Sequence, residues 1–393
     1  MRIALYTNDL TRDNVHLMPW RTVIEVAAGM CEAGHDAFVL SGWPEAGNEE
    51  WRHGTVSIHE VAKPRTAEEC VGLLRRIRTE KIDALYWPFA WWGAGRARWL
   101  LDHLDIRIVG YIPGARYMFR SVLRAIPSVG LRFSLPYLAQ SLYPDSLLTR
   151  ELKSRGVDSV ITMTDFSRQA LIHGGWPEDC VIAIPPGKSP VDTPATDAPV
   201  FRRIMRVVGD KPFFLFFGPP TAIRGVNQLL NAFSRVAAKH DNARLVCLFR
   251  SDSNVDMAAF RRRIEKKWHG GRIQCVWQSL TPTELAAFLH ACHSVVLPFL
   301  LIPSEIPLAI IEALGHGKPV ISTGPGGSGE FVAGFGLSAQ VGDVADLAAK
   351  MEALLVDRDL YENRCRRAHE VFALCKRWPE VAQSWLAALE NRR

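Results

Sequence analysis

One segment, residues 303–330, constrains the fold of this chain more than any other part of its sequence. The apolar run that ends at Phe299 is typical of a buried strand, and Pro303 with Ser304 predicts a helix start. Apolar residues fill that helix until glycines stop it, and residues 319–323 predict a further short strand. In such strand-helix-strand units, ligands bind at the carboxyl ends of the strands, beside helix N-termini. The segment therefore predicts a parallel α/β fold with a site suited to a phosphate.

Two glutamates with six residues between them, Glu305 and Glu312, fall in this segment. Free N–H groups and the positive end of the helix dipole favour an anion such as a nucleoside diphosphate. A carboxylate is a natural acceptor for the paired hydroxyls of its ribose. The alternative is that Glu305 only favours the first helical turn and that Glu312 is a solvated residue on the helix.

The segment resembles the hallmark of the GT-B-fold glycosyltransferases, and among them of the large retaining group called family 4. In that hallmark, seven residues separate two glutamates inside a pattern of the form P-S-E, P-L, E-A and G-x-P-V, and G-G-x-x-E follows. The residues of this chain that match are Pro303, Ser304, Glu305, Pro307, Leu308, Glu312, Ala313, Leu314, Gly317, Pro319, Val320 and Glu330. The spacing between the glutamates is one residue shorter than in the family.

The resemblance implies a role for several of these residues. Glu305 would lie beside the donor sugar as a catalytic residue, Glu312 would hold the ribose hydroxyls, and Glu330 would be a further donor contact. The residues that line the diphosphate pocket would be Ile306, Pro307 and Leu308.

A second stretch, at a predicted strand-to-helix turn, resembles the family's G-R-x-x-x-x-K-G loop, whose two basic residues grip the donor diphosphate. Arg224 matches the second basic residue, and Pro219 replaces the first. Arginine binds phosphate oxygens bidentately, so we predict Arg224, with Gly218 beside it, as a donor-binding and catalytic residue. The alternative, a surface arginine at a helix start, opposes the helix dipole. Arg250 is a candidate for the missing cation, and Leu280 for the edge that contacts the base.

The N-terminal half offers candidates for binding an acceptor. Residues 3–40 resemble the strand-helix-strand opening of the family's N-terminal domain, but polar residues replace its usual glycine pair. Asn8 and Asp9 are therefore candidate acceptor contacts, or polar turn residues that cap a helix. Trp87 and Arg116 stand near two places where the family often has a histidine that touches the donor sugar. The aromatic cluster around Trp87 can stack on a sugar ring or form interdomain core.

Residues 106–144 contain no acidic residue and interleave arginines with apolar side chains. Arg116, Arg120 and Arg124 recur every four residues, so on one helix they form a stripe. Such a surface suits anionic headgroups and a lipid-linked acceptor, and it predicts peripheral contact with a membrane. Against this interpretation, Pro127 and Pro136 interrupt the segment, and apolar residues often pack under an arginine face.

The length of 393 residues exceeds what one core usually supports and favours two domains. We place an N-terminal, acceptor-binding domain at residues 1–190, joined by a C-terminal helix at 378–393. A C-terminal, donor-binding domain is expected at 200–377, after a hinge at 189–199 that is rich in proline, threonine and aspartate.

Charge and cysteine content narrow the class of protein. The formal net charge of +6 and the isoelectric point near 8.9 favour anionic partners without indicating nucleic acid. Eight scattered cysteines without a C-x-x-C motif indicate neither a disulfide framework nor a zinc site. The sequence shows no signal peptide and no apolar run that approaches a membrane span. We therefore expect a cytoplasmic protein, at the inner face of the membrane if residues 106–144 bind there.

These observations predict an α/β protein with the GT-B architecture, in which two doubly wound, Rossmann-like domains face each other across a cleft. The function that the resemblance implies is retaining, metal-independent transfer of a sugar from a nucleotide diphosphate sugar to a glycan, lipid-linked or small-molecule acceptor. No metal is expected, because the one close D-x-D sequence, Asp357-Arg358-Asp359, lies far from the motif. Two alternatives are a homologue that binds a sugar nucleotide without turnover, and another GT-B enzyme such as an epimerase or a non-glycosidic coupling enzyme.

Overall fold

The computed structural model of this protein describes residues 1–44, 49–93, 95–252, 255–268, 271–302, 304–324 and 326–390, except for the side chain of residue 96. Within these residues the chain forms two β-sheets, each covered by helices. Pro303 of the predicted motif and residues 391–393 of the predicted C-terminal helix lie outside the described residues.

The first sheet is built from the N-terminal half of the chain. Its strands are β1 (Arg2–Asn8), β2 (Asp36–Trp43), β3 (Glu50–His53), β4 (Val56–Ala62), β5 (Ala84–Pro88), β6 (Arg107–Tyr111), β7 (Ser159–Thr162) and β8 (Val181–Ala183). They lie in the order β3-β4-β2-β1-β5-β6-β7-β8, and each pairing is parallel except that of β3 with β4. The strand order reverses beside β1, and crevices for ligands form at such points.

The second sheet is parallel throughout. Its strands are β9 (Phe213–Gly218), β10 (Arg244–Phe249), β11 (Ile273–Val276), β12 (Ser294–Leu297), β13 (Val320–Thr323) and β14 (Leu337–Ala339). They lie in the order β11-β10-β9-β12-β13-β14. Strands buried on both faces read as continuous apolar runs, and the phenylalanine-rich β9 at the centre is the clearest case. The two doubly wound sheets confirm the predicted α/β class.

Helices cover both sheets, and the last one returns to the first sheet. The described helices are α1 (Trp20–Glu32), α2 (Ala67–Thr79), α3 (Arg98–Asp102), α4 (Phe119–Val129), α5 (Leu131–Leu142), α6 (Asp145–Ser154), α7 (Asp165–His173), α8 (Pro199–Val208), α9 (Val226–Lys239), α10 (Met257–Lys267), α11 (Pro282–Ala291), α12 (Leu308–Gly315), α13 (Ser328–Ala333), α14 (Val344–Val356), α15 (Arg358–Leu374) and α16 (Trp378–Glu390). The Trp385 ring of α16 lies against Tyr86 and Tyr111, and the Tyr86 hydroxyl donates to the Trp385 carbonyl at 2.7 Å. No described helix has the length and apolar character needed to cross a membrane.

The helix of the motif starts later than the sequence predicts. Pro303 and Ser304 predict its start, whereas α12 begins at Leu308 with Pro307 as its N-cap. Proline has no N–H group and holds the residue before it in an extended conformation, so the helix cannot extend back through Ile306. Residues 304–306, including the first glutamate of the motif, therefore form a loop in front of the helix.

The prediction that three arginines form a stripe on one helix is wrong for Arg116. Because α4 begins at Phe119, Arg116 precedes the helix, and only Arg120 and Arg124 share it. The predicted interruptions are also wrong, since Pro127 lies inside α4 and Pro136 lies inside α5. The helical structure is interrupted between these two prolines, at Gly130, which separates α4 from α5 and has a φ of 88°.

α4 and α5 follow β6 of the first sheet but pack on the core of the second. Val122 and Ala125 of α4 are fully buried in that core. Just before α4, the Tyr117 hydroxyl donates to the Ile302 carbonyl at 2.5 Å and accepts from the Ile302 N–H at 2.9 Å. We call residues 119–142 the crossing hairpin, because these two helices connect the parts of the molecule that carry the two sheets.

Candidate functional site

The candidate donor site lies at the edge of the second sheet where its parallel strands end, which we call the donor edge. Arg224 follows β9, Arg250 follows β10 directly, and the loop of Glu305 follows β12. Since the carboxyl ends of parallel strands share one edge, these segments are brought together there. The beginnings of α9 and α12 lie at the same edge.

The turn after β9 has a shape that requires glycine at two positions. Gly218 has a φ of 126°, and a Cβ there would press on the Arg224 guanidinium. Gly225 has a φ of 69°, and a Cβ there would collide with the Pro298 carbonyl oxygen. The carbonyl of Ile223 also accepts a 2.7 Å hydrogen bond from the N–H of residue 300. The turn is therefore held firmly against the segment after β12.

Arg224 is a half-buried cation that forms no direct ion pair with any described residue. Its guanidinium carbon lies 5.6 Å from the centre of the Phe299 ring, and the guanidinium donates no hydrogen bond to any described residue. Burial and repulsion from Arg250 lower its pKa to about 10, while the charge of Asp252 acts in the opposite direction. The side chain stays protonated at neutral pH, so two half-buried cations follow the neighbouring strands β9 and β10. An anion bound between them would relieve this repulsion.

Glu312, on α12, lies within electrostatic reach of Arg250. Burial raises the pKa of its carboxyl, the charges of Arg21 and Arg250 lower it, and Asp192 raises it. Arg21 belongs to the first turn of α1, and it donates to the Ser189 hydroxyl at 2.7 Å. The structure thus places Glu312, the residue predicted to bind the ribose, near Arg250. It also places Glu312 near Arg21 and Asp192, which sequence reasoning missed because neither lies in a motif.

His16 is a further group that sequence reasoning missed. It lies in the loop between β1 and α1, and its side chain is exposed. Partial burial of the ring lowers its pKa, and the charges of Arg250 and Arg21 lower it further. A histidine of the N-terminal half therefore lies near Arg250, although not after the strands where the family usually has one.

Glu305 is completely buried where the two halves of the chain meet. Its Oε1 atom accepts hydrogen bonds from the Ser167 hydroxyl at 2.6 Å and from the Gly327 N–H at 3.2 Å. Its own N–H donates to the Pro113 carbonyl at 3.0 Å. The Oε2 atom has no hydrogen-bond partner among the described residues. Burial raises the pKa of the Glu305 carboxyl, and the hydrogen bonds to Oε1 act in the opposite direction.

Of the remaining predicted donor residues, all but Leu280 lie in or near this loop. Ile306 is fully buried, and Pro307 and Leu308 are half-buried at the start of α12. Glu330 is exposed on α13, and its charge contributes to the raised pKa of Glu305. Leu280 is half-buried after β11, at the far edge of the second sheet, where it packs on the core.

A cavity of about 210 Å³ opens at the carboxyl ends of β1 and β5 in the first sheet. Its lining residues are Tyr6, Asn8, Lys63, Pro64, Arg65, Trp87, Pro88 and Ala97. The Trp87 ring stacks on Tyr6 with a centroid distance of 4.1 Å, and the Tyr6 hydroxyl donates to the Asn8 Oδ1 atom at 3.1 Å. Two of the predicted acceptor residues, Asn8 and Trp87, therefore line one cavity.

Asp9 lies beside this cavity, in an ion pair with Lys63 at 2.6 Å. The alternative that Asn8 or Asp9 caps a helix is wrong, because α1 has Pro19 as its N-cap and no side chain caps it. The loop between β1 and α1 is long enough to separate these polar residues from the helix.

The guanidinium group of Arg116 donates hydrogen bonds to other residues of the chain. Its Nε atom donates to the Asp145 carboxylate at 2.9 Å, and its Nη atoms donate to the carbonyls of Gln140 and Tyr143. Its guanidinium carbon also lies 5.5 Å from the centre of the Trp91 ring. These contacts hold the base of the crossing hairpin together.

The described residues contain no group of three or more side chains arranged to bind a metal ion. Asp357 of the D-x-D sequence is the N-cap of α15 and accepts a 2.9 Å hydrogen bond from the Leu360 N–H. The eight cysteines are free thiols. The positive charge at the donor edge comes from arginine side chains.

Residues 211–357 match the family model described as glycosyl transferases group 1, and no curated protein matches the chain. Solved structures resemble it over nearly its whole length. Sucrose-phosphate synthase from Thermosynechococcus elongatus is 17% identical, with a TM-score of 0.68, covering 98% of this chain and 97% of that one. Anabaena HepE in complex with UDP and glucose is 14% identical, with a TM-score of 0.68 and 99% of both chains covered.

A UDP-forming α,α-trehalose-phosphate synthase from Burkholderia xenovorans is 14% identical, with a TM-score of 0.68, covering 100% of this chain and 99% of that one. At these identities the similarity shows the fold, and it confirms the predicted GT-B architecture. The matched family model and the fold together support a glycosyltransferase enzyme, as the sequence predicts.

Proposed function

We propose that this glycosyltransferase transfers a sugar from a UDP-sugar to an acceptor, with retention at the anomeric carbon and without a metal ion. The observation that carries the proposal is the placement of two half-buried arginines, Arg224 after β9 and Arg250 after β10, at the strand ends of the second sheet, where the charge of Arg250 lowers the pKa of Arg224. A diphosphate carries the negative charge that would balance these two cations. The choice of UDP is supported by two structures of similar fold, one described in complex with UDP and one as UDP-forming.

In the proposed complex, Arg224 and Arg250 bind the diphosphate oxygens and Glu312 accepts hydrogen bonds from the ribose hydroxyls. The two guanidinium groups stabilise the negative charge that grows on the leaving diphosphate, the task that a metal ion performs in other enzymes. Loss of one such donor costs about 2.7–4 kcal/mol of transition-state stabilisation, by comparison with an oxyanion hole.

Retention follows if the acceptor hydroxyl attacks the anomeric carbon on the face from which the diphosphate leaves. The bond from that carbon to the diphosphate oxygen breaks, the bond to the acceptor oxygen forms, and the hydroxyl proton passes to the departing phosphate. Glu305 lies beside the donor loop but is closed off by Ser167 and Gly327. We therefore propose that Glu305 acts as a positioning residue for the sugar end of the donor site.

The acceptor is proposed to bind in the cavity of the first sheet, against Asn8 and Trp87. Tyr6 and Trp87 line the cavity but are only 1% and 4% exposed, so the contacts for sugar hydroxyls come from its polar lining residues and from the ion pair of Asp9 with Lys63. This chemistry fits a glycan, a lipid-linked sugar or a small sugar acceptor. The domain that carries the cavity would then be the acceptor domain.

The test is UDP release from UDP-glucose, UDP-galactose and UDP-N-acetylglucosamine, with and without a panel of sugar acceptors and in the presence of a chelator. The proposal predicts acceptor-dependent release, and NMR of the product should show the anomeric configuration of the donor. UDP binding without turnover for any acceptor would favour the non-catalytic alternative. An epimerised donor would favour the epimerase.

A further inference from the structure

The crossing hairpin has its apolar side turned outward. In α5 the polar residues Ser134 and Gln140 are buried, whereas Leu131, Leu135 and Leu142 are 57%, 53% and 65% exposed. Helices of soluble proteins normally show the opposite arrangement, with leucines toward the core. The three leucines share one face of the helix by their spacing. The hairpin therefore presents an apolar surface that no described residue covers.

α4, the helix that packs beside α5 in the hairpin, also exposes apolar side chains. Val122 and Ala125 point into the core of the second sheet, while Phe119 and Leu123, four residues apart, are 41% and 43% exposed. Scattered apolar residues are ordinary on a protein surface, but a contiguous patch marks an interaction site. Phe133 of α5 is also 48% exposed, but its spacing places it on the side of the helix opposite the three leucines, where its ring lies against Tyr137.

The charges among these residues all have one sign. Arg120, Arg124 and Arg132 are exposed, and none forms an ion pair with any described residue. Residues 106–144 contain no acidic side chain, and the nearest one after them, Asp145, is paired with Arg116. Apolar side chains flanked by unpaired cations complement a surface of acyl chains under anionic headgroups.

We propose that this surface, the docking face, binds a membrane that contains anionic lipids. Its residues are Phe119, Arg120, Leu123, Arg124, Leu131, Arg132, Leu135 and Leu142. A second copy of the chain complements it poorly, because a symmetric contact would place the same arginines against each other without a carboxylate. Charge complementarity therefore selects the lipid surface as the occupant.

The inner side of the hairpin connects the docking face to the donor edge. Gln228, in the first turn of α9, donates to the Ser128 hydroxyl of α4 at 2.5 Å. α4 also contacts the 3₁₀ turn Ala222–Arg224. A hairpin resting on a membrane would hold the donor turn close to the lipid surface, which suits an acceptor with a lipid anchor.

The test is flotation of the full-length protein with vesicles of phosphatidylcholine alone, or of phosphatidylcholine mixed with phosphatidylglycerol. We expect binding to the anionic vesicles, weakened by added salt, and little binding to the neutral ones. The variant with Arg120→Gln, Arg124→Gln and Arg132→Gln should lose about fivefold in partition coefficient per arginine, roughly a hundredfold in total.

A matched control removes three exposed arginines from α8 instead, by Arg202→Gln, Arg203→Gln and Arg206→Gln. It changes the net charge equally and should retain vesicle binding. An equal loss in the control would show that net charge alone drives binding and would overturn the proposal. So would the absence of binding to anionic vesicles by the unmodified protein.

Apolar variants separate a lipid surface from a protein partner. Leu131→Ser with Leu135→Ser should abolish flotation without lowering the melting temperature, since both side chains are exposed. Leu374→Ser, at an 83% exposed position at the end of α15, is the matched control and should float normally. If the protein instead forms a dimer that Leu131→Ser dissociates, and if it does not bind vesicles, then a second copy of the chain covers this face.

Discussion

The Ser167 hydroxyl donates a 2.6 Å hydrogen bond to the Oε1 atom of Glu305, and this bond links α7 to the loop in front of α12. The same oxygen accepts the Gly327 N–H, while Oε2 is buried without a partner among the described residues. The family resemblance implies that the Glu305 carboxyl lies beside a sugar. In the structure it is buried where the two halves of the chain contact each other.

The first prediction concerns the pH dependence of stability. Burial raises the pKa of Glu305, so between its ordinary and raised values the folded chain binds more protons than the unfolded chain. The free energy of unfolding should therefore fall as pH rises through this window. Glu305→Gln removes the titration and should flatten that part of the profile, as measured by urea unfolding at a series of pH values. Parallel profiles for the two proteins would contradict the buried placement.

The second prediction tests the cation pair. Arg224→Ala should weaken UDP binding about tenfold to a hundredfold, because hydrogen bonds to charged groups contribute roughly 1.5–3 kcal/mol. Arg250→Ala should do the same, and titration calorimetry measures both. Arg202→Ala, at an exposed position of α8, is the control and should bind UDP normally. An unchanged affinity in Arg224→Ala would exclude this turn from the donor site.

The third prediction separates ribose binding from phosphate binding. Glu312→Ala should weaken UDP binding because it removes the acceptor proposed for the ribose hydroxyls. The same variant should bind pyrophosphate equally well or more tightly, since a negative charge near Arg250 is lost. Competition against a fluorescent nucleotide measures both ligands. Equal weakening of UDP and pyrophosphate would argue against a ribose contact.

The fourth prediction addresses the acceptor cavity. Asn8→Ala should raise the KM for the acceptor and leave the affinity for UDP unchanged, because Asn8 lines the cavity of the first sheet. Initial rates at varied acceptor concentration would show this. Asn14→Ala, in the same loop, is the control for a general loss of loop structure, since Asn14 does not line the cavity. A change in UDP affinity in Asn8→Ala alone would move Asn8 to the donor site.

Much of the fold follows from local patterns. The apolar run of β9, the helix α14 and the glycine turns at residues 218 and 225 are readable because burial and backbone geometry restrict which residues fit there. The start of α12 differs from the prediction, because Ser304 resembles a helix cap but Pro307 holds the residue before it in an extended conformation.

The parts of the site that sequence reasoning missed come together only in three dimensions. Arg21, Asp192 and His16 lie outside every motif and are distant in sequence from the strand ends of the second sheet, yet each lies within electrostatic reach of Glu312 or Arg250. No local pattern could predict that the crossing hairpin would leave one sheet and pack on the core of the other.

The measurement that tests the central claim most directly is titration calorimetry of UDP against the unmodified protein and Arg224→Ala, in a chelator. The account predicts that UDP binds the unmodified protein without a metal, and that Arg224→Ala binds it about tenfold to a hundredfold more weakly. No binding of UDP by a folded protein, or equal binding by both, would contradict the proposed donor site.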